Sequence, residues 1–356
     1  MADLKAEEVE LANLYNLLGY FTRFHISVYP SQLRNQATDI DLYAVRFNNQ
    51  LNPSVYLVEA MGTRDSVSEV FRTYGFKSYF RNCEAILVSD KIDPLVLDTS
   101  KKLGIRVFSM SRIRQLTAND VKWARERSKP HVPLTVDDGL KIQSFLKTMK
   151  GLDDPLFWQY HYLWLESSPY LKLARLYEMS EKANGFLTTS GEVSNNVVEW
   201  FLTETFMLSM LACIEIASDC IDISPGDVDS YLTDKFYNLG TSKESKLRTK
   251  RSIQLLVDTI KELSQGKVTA PDVEIVPPYL GKLGLLIRAI IDHAPFVQSY
   301  LLLNEAVYRN KLQGKSRNIR DFASGESQKK SITEINGMLS RILYDATIPT
   351  VFNDFV

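Results

Sequence analysis

Two aspartates open one apolar run and a glutamate sits near the end of the next: TDIDLYAV covers Thr38–Val45 and YLVEAMG covers Tyr56–Gly62. Clustered carboxylates of this kind suit Mg²⁺, a hard cation that takes one or two protein carboxylates and completes its shell with water and phosphate. Such a metal generates a hydroxide nucleophile and neutralises the charge that builds on a phosphodiester. Whether the groups meet depends on strand periodicity. Side chains two apart share a face, so Asp39 and Asp41 lie on one face while Ile40, Leu42 and Ala44 take the other. In the second run Val55, Leu57, Glu59 and Met61 share a face. Neighbouring strands would bring two or three carboxylates to one edge of a sheet.

The surrounding pattern supplies those strands. Residues 5–18 place Leu11, Leu14 and Leu18 at helical spacing and Gly19 ends the helix. Phe21–Val28 reads as an edge strand stopped by Pro30, and 39–47 and 55–61 as two strands joined by the turn-rich NNQLNP. A helix over 66–79, a strand over 84–89, a helix over 94–103 and a strand over 105–108 follow, with a terminal turn or helix at 111–116. This order predicts a mixed sheet flanked by helices. The polar, proline-marked stretch Ala124–Asp138 is the expected boundary between an α/β domain of residues 1–128 and an all-α domain of residues 129–356. Helical patterns there run over about 136–149, 154–182, 191–221, 227–237, 243–265, 279–312 and 331–345. Residues 264–278 and 313–330 read as exposed linkers, and the tail ATIPTVFNDFV is apolar enough to dock.

The element order, together with TDIDLYAV and YLVEAMG, resembles the PD-(D/E)XK, or restriction-endonuclease-like, superfamily, in particular its Mrr and Holliday-junction-resolvase branch. The resemblance covers about 110 of the 356 residues. It implies that Asp41, or Asp39 in the alternative register, is the first motif aspartate and that Glu59 is the acidic residue of the tripeptide. Both would bind Mg²⁺ together with a glutamate of the first helix, Glu7 or Glu10. The sequence departs from the family at the lysine, where Glu59-Ala60-Met61 carries a thioether. A thioether carries no charge and donates no proton. Losing a positioned acid–base group costs roughly 10²–10⁴ in rate. A basic group from the following helix is the family's alternative source: Arg64, Arg72 or Lys77, of which only the lysine is a competent base. The resemblance therefore implies a DNA-associated subunit that binds or scaffolds DNA in a prokaryotic DNA-processing or defence system, with other protein subunits as partners. The alternatives are an active Mg²⁺-dependent endonuclease using Asp41, Glu59 and Lys77, and a pure protein-interaction scaffold.

Bulk properties add little to this. Net charge is −1, so no global basic field points to nucleic acid. Residues 1–129 carry 18 Lys and Arg against 15 Asp and Glu, the remainder 24 against 28. Two basic stretches are candidate phosphate contacts: Lys243, Lys246, Arg248, Lys250 and Arg251, and Lys311, Lys315, Arg317 and Arg320. Arg64 and Arg72 join them as candidate nucleic-acid contacts. Three cysteines without short spacing argue against a disulfide framework or zinc, and the acidic, amphipathic opening is unlike a signal peptide. A cytoplasmic protein without membrane attachment is expected, with Trp200–Ser218 as a buried core helix interrupted by Glu204 and Glu215. The four histidines lack metal-ligand spacing, and His25 reads as polar surface on an edge strand.

Overall fold

The computed structural model describes residues 6–28, 38–60, 67–80, 83–89, 92–115, 131–164, 166–187, 192–237, 277–344 and 349–356. The chain opens with α1 (Ala6–Leu17) and a three-strand meander, β1 (Phe21–Val28), β2 (Thr38–Phe47) and β3 (Pro53–Ala60). Then come α2 (Val67–Tyr79), β4 (Cys83–Val88), α3 (Pro94–Lys102) and β5 (Arg106–Phe108). The five strands lie in the sheet in sequence order. The β1–β2 and β2–β3 pairs are antiparallel, and β3–β4 and β4–β5 are parallel.

Local chemistry sets this topology. Asn48 Oδ1 accepts from the amides of Gln50 and Asn52, both at 2.9 Å, closing the β2–β3 turn. The parallel pairs need crossovers, and α2 and α3 supply them. Asp93 caps α3 by accepting from the Leu95 amide, and Gly104 at φ +66° ends it, a conformation glycine adopts without strain. Alternation then splits the sheet's side chains. Leu42, Val58, Ala60, Ile86 and Val88 pack under α1 and residues 110–115, against Leu11, Ala12, Met110 and Ile113. Ala85 and Leu87 pack on the other side with Val70, Val96 and Ile105 of α2 and the α3 region.

The remainder is helical: α4 (Val136–Leu152), α5 (Asp154–Leu163), α6 (Pro169–Leu187), α7 (Glu192–Cys220), α8 (Val228–Tyr237), α9 (Leu280–Asp292), α10 (Ala294–Leu312) and α11 (Glu326–Tyr344). Among the described residues one helical segment, Asn195–Cys220, is long and apolar enough to cross a membrane; 94% of its most apolar window is buried inside the fold. It is a core helix, as its internal glutamates suggested. Two expected helices are broken. The 154–182 pattern divides before Pro169 and the 279–312 pattern at His293, with Pro295 in the first turn of the next helix, because proline fits a first turn but not a helix interior. The expected linker 313–330 is instead partly built in: Ile319 is buried in a short 3-10 turn, and its amide donates to Asp354 O at 2.7 Å. The tail docks, with the Phe352 and Phe355 rings 5.2 and 5.1 Å from that of Phe206.

The helices close directly onto the sheet. One continuous core contains Tyr43, Val45 and Leu57 of the sheet together with Trp164, Phe201 and Leu301 of the helices. The Tyr43 and Trp164 rings meet edge to face at 5.5 Å. The side-chain amide of Gln298 bridges the two parts, accepting from the Phe47 amide and donating to Gly19 O, both at 2.8 Å. The expected division at 128/129 lies outside the described residues.

Candidate functional site

The acidic residues meet as alternation required. Leu42 pairs with Val58 and Ile40 with Ile26, so Asp41 stands directly opposite Glu59 on the neighbouring strand. Both are 1% exposed. Each carboxylate accepts from the other's strand: the Ala60 amide donates to Asp41 Oδ2 at 2.6 Å, and the Asp41 amide to Glu59 Oε1 at 3.4 Å. The second oxygen of Glu59 holds a cation, because Arg72 Nη2 donates to Oε2 at 2.7 Å and pairs with Glu69 at 2.9 Å. Burial and the charge of Asp41 push the Glu59 carboxyl well above its ordinary value, with Arg72 opposing them. One guanidinium thus faces two buried carboxylates, and Glu59 takes up a proton more readily than a free carboxylate does.

The other expected ligands divide. Glu7 is exposed, and Glu10 is spent on Arg114 at 2.6 Å. The buried glutamate of α1 is Glu8, at 0% exposure. It accepts from His25 Nδ1 at 3.1 Å, and Asp39 lies 3.8 Å from the same nitrogen. His25 is therefore not the surface residue its strand position suggested. It is buried, with φ +53°, a backbone state uncommon for a residue with a side chain and frequent where structure constrains a functional group. Burial works against its charged form, but the hydrogen bond and charge of Glu8, with Asp39 and Asp41 nearby, hold its pKa above the ordinary 6.5.

That raised value has a definite sign. A group whose folded pKa exceeds its unfolded one contributes stability that is complete below the unfolded value and lost as pH rises through the folded one. His25→Gln is therefore expected to lose more stability at pH 5.5 than at pH 8.5, read from urea midpoints at the two values. An equal loss at both would mean that the Glu8–His25 pair is not charged.

Lys77 lies elsewhere. Its ammonium donates to Gly104 O at 2.7 Å, and its own carbonyl lies near Cys83 Sγ. Cys83 pairs with Val55 whereas Glu59 pairs with Leu87. Lys77 therefore sits at the opposite end of the parallel strands, four residues or roughly 13 Å along β3 from Glu59. Met61, Arg64, Lys246, Arg248, Lys250 and Arg251 lie outside the described residues.

This arrangement is a poor fit to Mg²⁺. Among the described residues no group of three His, Cys, Asp or Glu side chains is arranged to hold a metal. Both Glu59 oxygens are engaged, one by a guanidinium. A divalent ion would have to displace Arg72 from Glu59.

No family model matches this sequence, and no curated protein or solved structure is similar to it.

Sequence reasoning missed two members of the cluster, Glu8 and His25. A readable signal existed for Glu8, which lies three and four residues before Leu11 and Ala12 and so shares their side of the helix. None existed for the left-handed backbone of His25.

Proposed function

We propose that this chain is a DNA-associated subunit whose N-terminal part has the restriction-endonuclease-like fold and engages DNA without hydrolysing it. Its setting would be a prokaryotic DNA-processing or defence assembly with other protein subunits. The observation that carries this reading is the Arg72 guanidinium on Glu59, opposite Asp41. An internal cation stands on Glu59, where the resemblance would place a catalytic metal. The acidic pair on adjacent strands supports the family reading; its internal neutralisation supports loss of hydrolysis. A guanidinium that stays protonated is a poor general base, though it suits phosphate.

Duplex binding across a salt series tests the first half. Affinity is expected to fall steeply between 50 and 200 mM salt, as phosphate contacts release counterions. No binding at low salt would leave only the protein-interaction scaffold. The second reading, an active Mg²⁺-dependent endonuclease, draws on one observation: both carboxylates are intact and directly opposed.

A further inference from the structure

A second concave site lies in the helical part, about 450 Å³ in volume, among α4, α7, the end of α10 and the chain tail. That volume suits a small organic ligand. Its chemistry is two-sided. The half-buried Phe145 ring carries Lys141 Nζ at 5.6 Å from its centroid, and the buried rings of Trp200, 5.6 Å from Phe145 between centroids, and Tyr308 back it. Lys141 from α4 and Lys311 and Lys315 from the end of α10 and the turn after it converge on the hollow.

The lysines are only partly committed. An ammonium has three donors. Lys141 uses one on Leu312 O at 2.6 Å, and Lys315 one on Gln313 Oε1 at 3.0 Å. Both of those partners are neutral, so two positive charges remain uncompensated by them. Lys311 alone has a carboxylate, Asp354 at 2.9 Å, which Ser316 Oγ also holds at 3.0 Å. The other acidic wall residue, Glu199, is exposed. Gly314, at φ +72° with open space where a side chain would stand, turns the chain so that Lys315 and Ser316 line the same hollow as Lys311. Rings alone would suit an apolar ligand, and lysines alone an inorganic anion. Aromatic surface beneath ammonium groups fits a planar base that carries phosphate.

We propose that this cavity binds a nucleoside phosphate, with the base beside Phe145, whose ring Trp200 backs, and the phosphates met by Lys141 and Lys315. The site is also wired to the sheet. Trp200 Nε1 donates to Tyr308 Oη at 3.1 Å, and the Tyr308 ring carries the Arg23 guanidinium of β1 at 4.4 Å. The proposal is independent of the DNA reading.

Isothermal titration of the full chain with ATP, without divalent metal, tests it. Saturable one-to-one binding is expected, weakened about tenfold or more by Lys141→Ala and by Lys315→Ala, each removing a charged donor. Both lysines are exposed, so the variants should keep the wild-type thermal melt. Phe145→Ala should weaken ATP more than tripolyphosphate, because the ring meets the base and also lies under Lys141. Competition by a 5′-phosphorylated oligothymidylate would assign the bound group to a strand end, and its absence to a free nucleotide; both uphold the site. No saturable heat with ATP, equal affinity in the lysine variants, or tripolyphosphate binding as tight as ATP would each overturn it.

Discussion

Glu305→Ala is expected to unfold at urea concentrations that leave the wild type intact, with a loss of about 3–5 kcal/mol. Glu305 is the hub of a charge network sealed between the sheet and the helices. Its Oε2 accepts from Arg23 Nη1 at 2.8 Å and its Oε1 from Arg309 Nε at 2.9 Å. Arg23 also pairs with Glu204 through Nε at 2.8 Å. Arg309, at 0% exposure, extends the network to Thr22 Oγ1 at 2.7 Å and to Val132 O at 3.1 Å. The network holds two guanidinium groups and two carboxylates, so its charge balances. Removing one carboxylate leaves a buried positive charge that arginine does not shed. Against a typical total of about 5–15 kcal/mol such a loss is large. Glu305→Gln keeps hydrogen-bonding capacity and should fall between the two. A Glu305→Ala midpoint equal to that of the wild type would show that this interface is not dry.

The second large effect belongs to Arg72. Arg72→Ala strips Glu59 of its cation, and the expected loss at pH 8 is about 1–3 kcal/mol. It is smaller than that of Glu305 because the Arg72 side chain is 35% exposed and Glu59 can take up a proton instead. The pH dependence follows from that escape. The Glu59 value is already raised, and without Arg72 it rises further, so the defect shrinks as the pH falls and the carboxyl is neutralised. Mg²⁺ or Mn²⁺ should raise the melting temperature of Arg72→Ala and leave the wild type unchanged, since only the variant offers the carboxylates to an external cation. A metal-induced shift of equal size in both proteins would mean that Arg72 does not compete for the site.

Much of the sheet was legible because its signals are local. Alternation predicts that Asp41 and Glu59 converge at one edge of neighbouring strands, and there the Ala60 amide donates to Asp41 and the Asp41 amide to Glu59. The basic partner was harder to choose. Arg72 and Lys77 are five residues apart on one helix, yet only Arg72 reaches the site. In a strand–helix–strand crossover the early turns of the helix lie over the end of the strand it leaves, where Glu59 stands. The last turn, with Lys77, lies at the start of the next strand, beside Cys83. That geometry selects Arg72, although lysine is the better base. Pro169 and Pro295 were visible helix starts inside longer apolar patterns. The Arg23–Glu204–Glu305–Arg309 network was not visible at all, because its partners are up to 282 residues apart and no periodicity links them.

We propose that the Arg72 guanidinium on Glu59 takes the place of metal chemistry at the acidic pair. Incubating the purified chain with supercoiled plasmid in Mg²⁺ or Mn²⁺ tests it most directly, at a salt concentration where binding is established. The plasmid should remain supercoiled, and Asp41→Ala and Glu59→Ala should change nothing. Nicking or linearisation by the wild type, abolished by both substitutions, would contradict the account.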